Sequence, residues 1–287
     1  MKFALIKRHL MLYLRNRWAV FFSFLSVLII LGLFLLFLGN MFQGGPLGEH
    51  PDGEAFIYTW IFSGILFVST VTVPLGFLGI MVRDFETKAI NDFYVSPLDR
   101  RHIVVSYFVA AVVISLALSI VNLIVGQLYL WFKFGFVLAF ANWLGIFGLL
   151  LLSSMLFSSI FFYVVTYVKT SNTHGTLSTL VGTLIGFLAG LYVSVGALPD
   201  FTRYILSLLP TLQMSSAFRL IYMDALIQSV FSGADPSVAS RERMFLAIDL
   251  QLGDFTFSLW MLILIGIAWT LVFMTLSMLR LKSFKKT

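Results

Sequence analysis

Few residues in this chain carry side chains able to do bond-making chemistry, and their spacing argues against most of it. The four histidines, His9, His50, His102 and His174, are scattered, and none stands in an H-E-x-x-H arrangement that would seat zinc. No Ser or Asp pair is framed as nucleophile and base. Each histidine is expected to be a head-group or loop residue. The absence of cysteine removes disulfides, thiolate nucleophiles and thiolate metal sites together. The dipeptide Gly-Lys occurs nowhere, so a G-x-x-x-x-G-K-[ST] phosphate loop is impossible. One stretch concentrates polar groups: VRDFETKAINDFYVSPLDRRH, residues 82–102, holds nine of the 36 Asp, Glu, Lys, Arg and His side chains.

The elements around that stretch belong to a membrane protein. Of the 287 residues, 60% are hydrophobic and only 11% charged, against about 45–50% and roughly 25% in soluble domains. Six runs lack any Asp, Glu, Lys or Arg and are long enough for about 30 Å of hydrocarbon: Trp18–Gly48, Ala55–Val82, His102–Phe132, Phe134–Val168, Thr170–Pro199 and Phe255–Leu279. They are continuously apolar and do not alternate with period two. The expected fold is therefore all-α, six transmembrane helices in a single transmembrane domain over residues 1–287, and not a barrel. With the N-terminus cytoplasmic, fourteen Lys and Arg fall on the inner side and five on the outer, which places both termini in the cytoplasm. The net charge of +6 then reflects basic residues flanking spans and facing anionic lipid, and nucleic acid is not an expected partner.

A cleaved signal peptide is not expected, because the first apolar run far exceeds a signal core. In residues 1–17, Phe3, Ile6, Leu10 and Tyr13 recur at steps of 3, 4 and 3, which gives an amphipathic helix lying in the membrane plane; a plain basic anchor is the alternative. Gly182, Gly186 and Gly190 repeat every four residues, a face for close helix packing within the chain or against a second copy. Residues 200–254 are too broken by Arg203, Pro210, Arg219 and Asp224 to cross lipid, yet begin too apolar for an ordinary loop. Re-entrant outer helices with Leu212, Phe218 and Tyr222 in contact with lipid satisfy both facts, and an amphipathic helix on the outer surface is the alternative. The span interiors hold no acidic residue, Lys or Arg, which disfavours proton- or sodium-coupled carriers.

Residues 82–102 join the second and third spans on the cytoplasmic side. Phe85, Ala89 and Phe93 at i, i+4 and i+8 predict a short amphipathic helix that Ser96-Pro97 ends. Asp84, Glu86, Asp92 and Asp99 are the four carboxylates of the inner face. Anionic lipid would repel them, so the natural counterpart is a protein surface, with a solvated loop as the alternative.

With this pattern the chain resembles the membrane-spanning subunits of ATP-binding-cassette exporters of the ABC-2 type. The likeness rests on RDFETKAINDFYVSPLDRRHIVVSYFV, an acidic, Glu-containing stretch followed by a Ser-Pro pair leading into the third span, and extends to the N-terminal helix, the six spans and the long outer segment. The family often shows a second acidic residue and a Gly-Thr pair near Glu86, where this chain has Asp84 and TKA. The resemblance implies a coupling helix, Glu86 to Tyr94, docking on an ATPase, with Asp84, Phe85, Glu86, Lys88, Asp92 and Phe93 as coupling residues and Ser96-Pro97 as the joint. It also implies two ATPase subunits that bind ATP and Mg in place of this chain, which carries no cofactor of its own, and a second permease copy or related chain. The implied activity is outward movement of a hydrophobic or amphipathic substrate, a drug, lipid-like toxin or peptide, across the plasma membrane by alternating access. A glycan-exporting permease and a non-transporting scaffold subunit are the alternatives.

Overall fold

The computed structural model describes residues 2–18, 20, 21, 29, 32, 50–94, 100–233, 235–253 and 255–283. Nearly all of the expected first span, Trp18–Gly48, and the Ser96-Pro97 joint lie outside the described residues. Helix α1 (Lys2–Arg15) is followed by α2 (Gly53–Glu86), α3 (Ile90–Tyr94), α4 (Arg100–Phe134), α5 (Phe140–Val165) and α6 (Ser171–Leu188). A 3-10 turn at Val195–Ala197 leads to four short helices, α7 (Asp200–Leu208), α8 (Pro210–Tyr222), α9 (Asp224–Phe231) and α10 (Pro236–Phe245). A two-stranded antiparallel hairpin, Gln251–Leu252 with Phe255–Thr256, then precedes α11 (Leu259–Ser283).

Four helices among the described residues are long and apolar enough to cross a membrane: Gly53–Glu86, His102–Phe134, Phe140–Val165 and Leu259–Arg280. Each coincides with one of the charge-free runs. Helix α2 is the axis of the bundle and packs against α4, α5, α6 and α8. Its 34 residues carry no charge between Glu54 and Arg83, so it has no polar face to turn outward and is buried nearly all round. Small hydroxyl side chains let the neighbours come close and satisfy one another. Ser69 meets Ser119 at 3.0 Å, Thr70 meets Ser153 at 2.6 Å, and Ser115 donates to Ser154 at 3.0 Å.

Helix α6 is shorter than the expected fifth span. It opens on the polar residues SNTHGT, with the Thr170 side chain accepting from the Thr173 amide, and stops at Leu188. Gly190 follows with φ +64, while the Leu191 amide reaches back to the Gly186 carbonyl at 2.8 Å and the Gly190 amide to the Phe187 carbonyl at 3.0 Å. This is the left-handed stop that glycine makes without a steric penalty.

Within the chain the glycine repeat therefore does not form one packing face. Gly190 lies beyond the helix and ends it. A side chain at Gly186 would run into the Tyr192 ring of the same turn, 2.2 Å away, and one at Gly182 would meet nothing within 4 Å. Close approach between helices occurs instead where the buried His174 ring sits against Gly79 of α2 and donates from Nε2 to the Leu75 carbonyl at 2.9 Å.

The segment 200–254 also corrects an expectation. Leu212, Phe218 and Tyr222 do not touch lipid; all three are buried where α8 packs against α2, α5 and α11. Pro210 starts α8 at its first turn, where a missing N–H leaves no bond unmade. What permits this burial is Arg219, fully enclosed, which donates to the carbonyls of Ala189 at 2.9 Å, Gly190 at 3.1 Å and Ala247 at 3.1 Å. Those acceptors sit at the C-terminal ends of α6 and α10, the negative poles of two helices. The guanidinium also lies over the Trp60 ring at 4.9 Å, and the Trp60 indole donates to the Leu246 carbonyl at 2.9 Å.

Candidate functional site

The polar stretch begins at the last turn of α2, at the end of the bundle that carries α1. Asp84 was expected on an exposed docking surface, and the structure places it inside: the residue is 7% exposed. Its Oδ2 accepts from Arg8 Nη1 of α1 at 2.9 Å and from the Tyr107 hydroxyl of α4 at 2.6 Å. A carboxylate taken out of water needs such charge-assisted partners, and here they come from two different helices. Asp84 thus clasps α1 and α4 to α2.

His9 completes the clasp. Its ring stacks on Tyr107 with centroids 3.8 Å apart, Nδ1 lies 3.2 Å from Arg8 Nη1, and Nε2 lies 3.0 Å from Ser106 Oγ. The Ser106 hydroxyl donates to the Ile103 carbonyl at 2.5 Å, which leaves its oxygen to accept from His9. This hydrogen-bond pattern assigns a neutral imidazole protonated on Nε2. Burial, and then the neighbouring Arg8 charge, push the His9 pKa down to about 4, with Asp84 opposing. Burial also works against the charge on Arg8, but its hydrogen bond and attraction to Asp84 hold its pKa above the ordinary value. His9 and His174 are thus core residues, contrary to the head-group or loop role expected of them.

Helix α1 also packs on the bundle through a face that the sequence reading did not single out. Leu5, His9 and Tyr13 at i, i+4 and i+8 are buried, whereas Phe3 is 86% exposed. The signal was present in that spacing, but a histidine between two apolar residues reads as polar until its partners are known.

Beyond Asp84 the chain turns outward. Phe85 is exposed, and Glu86 Oε2 accepts from the Ser171 amide at 2.9 Å and from the Ser171 hydroxyl. Glu86 therefore holds the first turn of α6, where free amides and the positive helix pole favour an anion. Helix α2 ends here. Thr87 closes it, its hydroxyl donating to the Arg83 carbonyl at 2.8 Å, and Lys88 takes φ +60. The predicted single helix through Phe85, Ala89 and Phe93 is thus broken at 87–89: Phe85 belongs to α2, and α3 starts afresh at Ile90, which is buried. Asn91 and Asp92 are exposed. Phe93 lies on α3, and Ser96 and Pro97 lie outside the described residues. Among the described residues no group of three or more His, Asp or Glu is placed to hold a metal ion.

An all-α bundle with four apolar helices of membrane-crossing length, and a polar elbow between two of them, defines a multi-spanning membrane protein. The ABC-2 family transporter protein profile matches residues 48–278, and the chain belongs to that family. It is a membrane transport subunit of a class that normally works with an ATPase. No curated protein matches the chain.

Proposed function

We propose that this chain is the permease subunit of an ATP-driven exporter, moving a hydrophobic or amphipathic substrate outward by alternating access. In this reading a first span over residues 18–48 and a fifth at α6 complete six, both termini are cytoplasmic, a second copy completes the pathway, and two ATPase subunits bind ATP and Mg. The observation that carries the reading is the pairing of an exposed elbow with a buried clasp. Phe85, Lys88, Asn91 and Asp92 are exposed for docking, and in the same stretch of chain Asp84 grips α1 and α4 while Glu86 grips α6. Force applied to the elbow reaches four helices through these bonds, which suits a rocking transition between two packed states.

Asp92 is the residue to test, because it is exposed and takes no part in the clasp. Asp92→Lys should leave the permease folded, with an unchanged melting temperature, and reduce co-purification of the partner ATPase or substrate-stimulated hydrolysis tenfold or more, the scale of a reversed interfacial charge. Full ATPase binding together with wild-type transport would remove the docking assignment.

A further inference from the structure

At the end of the bundle opposite α1, helix α7 carries a bare apolar stripe. Phe201, Tyr204, Ile205 and Leu208 are 75%, 47%, 46% and 56% exposed and follow the i, i+3, i+4, i+7 spacing of one helical face. The opposite face is fastened. Leu206 is buried, the Ser207 hydroxyl proton is shared between the Arg203 carbonyl of the same helix at 2.8 Å and the Gln251 carbonyl at 3.3 Å, and Gln213 Nε2 donates to the Ser207 carbonyl at 2.9 Å. These bonds orient the helix, so the stripe has no freedom to turn inward.

We propose that α7 lies in the membrane–water interface with this stripe among the lipid acyl chains, anchoring the whole 200–254 segment to the bilayer. Helix α7 packs against the hairpin that leads into α11. Trp131 and Phe132 near the end of α4, Phe140 at the start of α5, Phe255 in the hairpin and Trp260 at the start of α11 are all exposed large aromatics at this same end of the bundle. Aromatic side chains of this kind mark the head-group level of a bilayer. The polar flank fits the same place: Asp200 and Arg203 form an ion pair, and Tyr204 combines an apolar ring with a hydroxyl.

A second copy of the chain is the poorer occupant. Nine residues make a helix only about 14 Å long, and four side chains fall short of the roughly 800 Å² per partner of a standard interface. This inference rests on the membrane-spanning fold and stands whether or not the elbow docks an ATPase.

The cysteine-free chain allows a direct test. Nitroxide labels on Ile205→Cys, Leu208→Cys and, as a water-facing control, Ser240→Cys would be compared in phosphatidylcholine vesicles for collision with oxygen, which partitions into lipid, and with a water-soluble nickel chelate. All three positions are exposed, and an unchanged melting temperature verifies the fold; Phe201→Cys replaces either stripe variant that fails this check. The expected oxygen-to-nickel ratio is several-fold higher at 205 and 208 than at 240. A ratio equal to that at 240 would place the stripe in water, and exclusion of both reagents with spin–spin broadening would place a second copy over it; either result overturns the proposal.

Discussion

His9 sits between a cation and a hydroxyl, and its hydrogen bonds require the neutral ring. Its Nδ1 faces Arg8 Nη1, so a proton added there would oppose the guanidinium at 3.2 Å. The folded pKa of about 4 lies below the ordinary 6.5, so between these values the unfolded chain holds a proton that the folded one does not. Stability from this residue is therefore complete above about pH 6.5 and declines as the pH falls toward 4, by on the order of 3 kcal/mol in all. Melting curves between pH 7.5 and 4.5 should show a steeper loss for the wild type than for His9→Gln, whose amide does not titrate; parallel curves would discharge His9 from this role. Asp84 shows why the residue scale is hard to read in a sequence. The four carboxylates of residues 82–102 looked equivalent in the string, and the approach of Arg8, 76 positions away, and of Tyr107 separates the buried clasp from the exposed Asp92.

At the scale of elements, the end of α6 makes the sharpest claim. Gly190 holds φ +64 and a side chain there would meet Val195 at 2.6 Å, so Gly190→Ala should lower stability by roughly 1–3 kcal/mol. Gly182→Ala, inside α6 with nothing within 4 Å, should not lower the thermal melt of the isolated chain and should raise stability by up to about 1 kcal/mol. Equal effects from both would restore the three glycines to a common packing face. The spans α2, α4, α5 and α11 were legible because charge-free runs of that length have few other solutions. The short helices were less so. Pro210 and Asp224 each open a short helix, but Arg219 lies inside α8, whose depth depends on whether that guanidinium finds acceptors, and those come from chain far on either side. The break inside the stretch between α2 and α4 was missed, since an i, i+4, i+8 pattern survives in sequence even where Lys88 turns the backbone left-handed.

For the whole molecule, the asymmetry of fourteen inner against five outer basic residues predicts which end faces the cytoplasm. A cysteine at Ser240 should react with a membrane-impermeant thiol reagent in intact cells, whereas one at Asn91 should react only after permeabilisation; the reverse pattern would invert the orientation. Arg219 bears on how such a molecule is built. Two of its acceptors, Ala189 and Gly190, precede it in the chain, but the third, Ala247, is synthesised 28 residues later. During synthesis the guanidinium must therefore wait, still hydrated, until the chain past α10 has emerged. The burial of α8 against α2 is accordingly a late event in biogenesis, completed only when both helix ends are in place to receive the charge.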